Sequence, residues 1–89
     1  MQVRASHILV KTLEEATNLQ TQINTGSDFG QLASQHSSCP SGKNGGDLGM
    51  FGPGQMVKPF EDATMSLTVG GLSAPIQTQF GYHLIKRTA

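Results

Sequence analysis

The sequence predicts an α+β domain in which helices pack on a mainly antiparallel sheet, and three stretches carry that expectation. Residues 3 to 10, VRASHILV, alternate as a strand does. Residues 13 to 23 repeat their apolar side chains at helical intervals, and residues 74 to 87 read as two short strands around a glycine turn. The element order along the chain is β-α-α-α-β-α-β-β.

In the first strand Val3, Ala5, His7 and Leu9 point one way, and Arg4, Ser6, Ile8 and Val10 the other. Both faces turn apolar toward its end, which marks a central strand. Thr12 to Glu15 has the form of a capping box. Leu13, Ala16, Leu19 and Ile23 then follow at helical spacing until Gly26 stops the helix. A shorter helix starts near Asp28 and turns Phe29, Leu32 and Ala33 inward. Residues 37 to 42, SSCPSG, form a loop or a single 3₁₀ turn that continues to Gly46. Asp47 to Phe51 is a short strand and Gly52-Pro53-Gly54 a tight turn. The next helix places Pro59 first, where no backbone donor is needed, and runs through Met65. Val69-Gly70-Gly71 turns the chain into a strand over 74 to 78, which tolerates Pro75 near its start. Gln79-Phe80-Gly81 reverses it into a final strand, Tyr82 to Arg87, so the last two strands pair as an antiparallel hairpin. In that strand Tyr82, Leu84 and Lys86 lie opposite His83, Ile85 and Arg87.

A chain of 89 residues suffices for one domain with a small core, so 1–89 reads as a single unit. Six basic residues balance six acidic ones with no Lys/Arg run, which argues against nucleic-acid binding. No apolar run approaches the length of a membrane span, so no membrane partner is expected. Cys39 is the sole cysteine and can form no internal disulfide. With Met1 at the start and no linker, the expectation is a complete, monomeric, cytoplasmic protein; the alternative is a domain of a larger exported foldase. One cysteine and scattered histidines lack zinc-ligand spacing, so neither metal nor cofactor is expected.

Two features point to a site. The first is the stretch Gly45 to Phe60, GGDLGMFGPGQMVKPF, which sets Leu48, Phe51, Met56 and Phe60 among glycines and prolines. Met56 and Phe60 are four apart and share a helical face if the helix starts early. Such spacing serves a core as readily as a site. A core helix, however, does not require a glycine-rich approach, whereas a hollow for a bound chain does. The second feature is polar. His7 in mid-strand and His83 early in the last strand need partners when buried. Either they satisfy each other and tie the strands together, or they serve chemistry. Thr78 could give His83 a hydroxyl, and the loop bearing Cys39 could fold over the same edge. His36 closes a helix and is expected in solvent.

The motifs GGDLG, F-x-x-GQMV-x-PFE and QFGYH-x-IK, with SHILVK near the start, resemble the parvulin family of peptidyl-prolyl cis-trans isomerases. The resemblance spans nearly the whole chain. It implies an FKBP-like fold, a four-stranded mainly antiparallel sheet surrounded by four helices. It also implies a catalytic set of His7, Cys39, Thr78 and His83, and a proline-binding set of Leu48, Met56, Phe60 and Phe80. Phosphate-specific parvulins carry a basic cluster after the first strand, where this chain has only Lys11-Thr12 followed by Glu14 and Glu15. Phe80 stands where such members carry a small polar residue. Both departures imply apolar or uncharged residues before the client proline.

The implied function is rotation about Xaa-Pro bonds in unfolded or flexible polypeptides, without a covalent step. One alternative is a peptide-binding or chaperone module that uses the same groove with little turnover. A thiol-dependent hydrolase built on Cys39 is a third reading. Pro40 directly after the cysteine and the lack of an oxyanion-hole glycine motif weigh against it.

Overall fold

The computed structural model describes residues 2–89. Its elements are β1 (Val3–Val10), α1 (Leu13–Asn24), α2 (Phe29–His36), a 3₁₀ helix (Pro40–Asn44), β2 (Asp47–Phe51), α3 (Lys58–Ser66), β3 (Ile76–Thr78) and β4 (Gly81–Arg87). The four strands form one sheet in the order β2-β1-β4-β3. Every neighbouring pair is antiparallel.

Local chemistry sets the helix ends. Thr12 Oγ1 accepts the Glu15 N–H at 3.2 Å and satisfies one of the free donors of α1. At the other end Gly26, at φ 112°, lets Ser27 N–H reach the Gln22 carbonyl and Gly26 N–H the Ile23 carbonyl, a Schellman ending. Asp28 caps α2 through the Gln31 N–H at 2.9 Å.

The 3₁₀ turn expected within residues 37–46 is present, and three other details differ from the sequence expectation. The turn is a five-residue 3₁₀ helix, so three α-helices and one 3₁₀ helix accompany the sheet among the described residues. Pro40 takes away a donor at its start, and Gly45 ends it in the left-handed region at φ 70°. α3 begins at Lys58, which puts Pro59 second and leaves Met56 outside the helix. β3 begins at Ile76, after Pro75, because proline has no N–H for the ladder. Leu13, at the open first position of α1, is 52% exposed and lies outside the stripe that Ala16 and Leu19 bury.

Alternation along β1 and β4 divides the core into two layers. On one face Ile8, Val10 and Leu84 meet Ala16 and Leu19 of α1 and Phe29, Leu32 and Ala33 of α2. On the other, Val3, Ala5 and Ile85 meet Phe51 and Phe60, with Leu48, Met56 and Ile76 around them. His7 and His83 belong to this second face by the same alternation.

Candidate active site

β1 and β4 pair with His7 opposite Ile85 and Leu9 opposite His83, which makes the two histidines diagonal neighbours on the α3 side. Their rings stack at 17° with centroids 5.1 Å apart. The two Nδ1 atoms lie 2.9 Å apart, so a single proton is held between them. On the far side of His83, Nε2 is 2.7 Å from Thr78 Oγ1, and that hydroxyl accepts the Phe80 N–H at 3.2 Å. The chain Thr78–His83–His7 ends at His7 Nε2, a buried atom with no hydrogen-bond partner among the described residues. Phe60 sets its ring nearly perpendicular to both imidazoles, at centroid distances of 5.5 and 5.3 Å.

Burial pushes His7 down to about 4, and the neighbouring His83 adds to the shift. Burial lowers His83 as well. Both rings are therefore uncharged at neutral pH, as an apolar setting requires.

The backbone under His7 is held from the side by a glycine. His7 N–H donates to the Gly46 carbonyl at 2.9 Å. Gly46 sits at φ 84°, and a Cβ there would lie 2.3 Å from the His7 carbonyl oxygen. Only glycine permits that approach, and it follows directly on the irregular β1–β2 register between Arg4 and Ser6.

Beside the imidazoles opens a hollow of about 360 Å³. His7 and His83 line it together with Cys39, Leu48, Met56, Phe60 and Phe80. Of the eight site residues expected from sequence only Thr78 is absent from the wall, and it reaches the hollow through His83. Cys39 lines the wall, but its Sγ accepts a hydrogen bond from Ser41 Oγ at 3.2 Å, and no hydrogen bond joins it to either histidine among the described residues. Phe80 is 60% exposed and stands at the rim. His36 is exposed, far in role from the other two histidines.

Three wall residues were not foreseen: Leu9, Gln55 and Val57. Leu9 was legible, since it shares the His7 face of β1. Gln55 and Val57 flank Met56 in the GQMV motif, yet neither residue type announces a binding role.

A family model described as "Rotamase: PPIC-type PPIASE domain" matches residues 7–89. The chain belongs to the parvulin family. This parvulin domain is 55% identical over 87 residues to Foldase protein PrsA of Geobacillus sp. (strain WCH70), covering 97% of this chain and 32% of that protein. It thus spans about a third of the length of the PrsA relatives it matches. Peptidyl-prolyl cis-trans isomerase Pin1 of Digitalis lanata is 42% identical over 97% of this chain and 95% of its own length. The solution structure of NmPin, the parvuline of Nitrosopumilus maritimus, superposes with a TM-score of 0.89 at 46% identity, covering 99% and 96% of the two chains. The four-stranded sheet and its helices are thus the parvulin fold, and the domain is of the peptidyl-prolyl cis-trans isomerase type.

Proposed function

We propose that this parvulin domain accelerates rotation about Xaa-Pro bonds in unfolded or flexible polypeptides, by a non-covalent route and with a preference for apolar residues before proline. The hollow carries this reading: apolar walls from Leu48, Met56 and Phe60 meet a floor of two uncharged imidazoles. A planar peptide unit is strongly polar because its C–N bond has partial double-bond character. The twisted state has lost that resonance and separates less charge, so a dry apolar hollow favours it over the planar state. The barrier is roughly 18–20 kcal/mol, and each tenfold acceleration needs about 1.4 kcal/mol of preference for the twisted state.

Within this reading, the Thr78–His83–His7 chain is a rigid floor that holds the hydrogen-bonding groups in place without charge. Cys39 contributes wall, since rotation requires no attack on the carbonyl. No Lys or Arg is among the lining residues, and the rim carries exposed Val57 and Phe80, which supports apolar rather than phosphorylated clients. The lone cysteine supports a cytoplasmic setting, and fractionation of the source cells tests it. A monomeric state is tested by sedimentation of the purified chain.

Exchange spectroscopy on Xaa-Pro peptides tests the main proposal, with leucine, phenylalanine, glutamate and phosphoserine before proline. Leucine and phenylalanine peptides are expected to exchange fastest, and Met56→Ala to slow them by about tenfold. His83→Ala removes the link between Thr78 and His7 and reports what the floor contributes. Shift changes at Leu48, Met56 and Phe60 without acceleration would leave a peptide-binding module and end the enzyme claim.

A further inference from the structure

The loop of residues 52–57 supplies Gln55, Met56 and Val57 to the hollow. Met56 packs against the neighbouring core. Four hydrogen bonds hold the loop in shape. Two close it on itself: Gln55 N–H donates to the Gly52 carbonyl at 3.3 Å, and Gly52 N–H to Gln55 Oε1 at 2.7 Å. The other two end on one residue. Glu61 N–H donates to the Val57 carbonyl at 3.0 Å, and Glu61 Oε1 accepts the Gly54 N–H at 2.6 Å. The bond to Val57 is the first backbone bond of α3, made at its N-cap, so it is the side chain of Glu61 alone that reaches back past Met56 to hold the loop at Gly54.

The side chain behaves as a built part rather than a solvated charge. It is only 13% exposed, and a bond this short belongs with charge-assisted hydrogen bonds. Lys58 Nζ lies 3.9 Å from Glu61 Oε2 but 3.0 Å from Asp62, so the lysine is directed mainly at Asp62. Val57, at the N-cap of α3, offers no side-chain acceptor, and a carboxylate folded back over the first turn also suits the positive end of the helix. Gly54, at φ 86° and without a side chain, has no packing of its own to fix it.

We propose that Glu61 is a positioning residue: its carboxylate locks Gly54 and so sets where Gln55 and Met56 stand against a bound proline. This rests on the isomerase reading above. With the loop held, a client meets a finished wall; without the tether, binding must also order the loop, which weakens affinity. The loss then falls on KM more than on kcat.

Glu61→Ala, which removes the acceptor, and Glu61→Gln, which keeps one, are compared with the unaltered chain. In nitrogen–proton correlation spectra the Gly54 amide is expected to be protected from solvent exchange, to lose about tenfold of that protection in Glu61→Ala, and to keep most of it in Glu61→Gln. With a Leu-Pro peptide, Glu61→Ala should raise KM about tenfold with kcat within about twofold, and Glu61→Gln should return KM to within about threefold. Should Glu61→Ala not fold, Glu61→Asp withdraws the acceptor by one methylene and takes its place. A lowered Tm with an unaltered KM per folded molecule would show a merely structural role and overturn the proposal, as would an unprotected Gly54 amide in the unaltered chain. If the unaltered chain accelerates nothing, the isomerase reading fails by itself. Positioning is then judged on Leu-Pro peptide affinity: binding about tenfold weaker in Glu61→Ala supports it, and equal binding overturns it.

Discussion

The two faces of the sheet are made from alternate residues of the same strands, yet one is closed and the other is left open. Behind Ile8, Val10 and Leu84, two helices complete a layer of aliphatic and phenyl side chains. Across the sheet, Val3, Ala5 and Ile85 pack with Phe51 and Phe60, and the single helix α3 meets His7 and His83 through the Phe60 ring while the hollow stays open beside them. The hollow is thus the unfinished part of a core. Its polar floor occupies strand positions that elsewhere on the same face hold Val3, Ala5 and Ile85. A site built this way inherits the rigidity of the central strand pair, and it differs from the Gly52–Val57 side of the hollow, where individual hydrogen bonds must do what packing does elsewhere.

The contrast can be broken most forcefully on the closed face. Leu84 is fully buried, and Leu84→Ala should cost about 2–5 kcal/mol of stability in denaturant unfolding while peptide exchange per folded molecule stays unaltered. A changed rate in the folded variant would show that the faces are coupled rather than separate.

Acid acts on the open face next. Unfolded, His7 titrates near 6.5, whereas in the fold it does so at about 4. Between those values the unfolded chain holds more protons, so stability rises with pH through that window. The contribution is complete above about pH 7, is lost as pH falls toward 4, and amounts to something on the order of 3 kcal/mol. His83 shifts the same way. Unfolding midpoints measured from pH 7 to pH 4 should fall, and replacing His7 by Leu should flatten the curve; an unflattened curve would place the titrating group elsewhere.

The smallest effect on stability is expected at the rim. Phe80 is 60% exposed, so Phe80→Ala should change stability by no more than about 0.5 kcal/mol. Peptide affinity should nonetheless weaken for clients with a large apolar residue before proline, as titration followed by NMR would show. Unaltered affinity across the series would remove Phe80 from the client surface.

Much of this was readable from local pattern. The alternation of VRASHILV assigned His7 and Ile8 to opposite faces, and that of the last strand did the same for His83 and Leu84. Thr12, Asp28 and Gly26 announced their helix ends because caps and left-handed stops act within a few residues. Leu13 was misread as inward, since periodicity does not say where a helix outruns its sheet. Met56 was legible as apolar wall but not as loop, because α3 starts two residues after it.

By itself, then, the sequence determined the order of elements, the two-faced strands and the motifs that mark a parvulin. Tertiary structure alone decided the 2.9 Å meeting of two imidazoles 76 residues apart, the engagement of Cys39 by Ser41 rather than by a histidine, and the grip of Glu61 on Gly54. The physical reason is range. Propensity, capping and periodicity act between near neighbours and are written in adjacent letters. Which side chains meet across the sheet depends on strand register and on how far each helix extends over it, and those are settled only when the whole core packs.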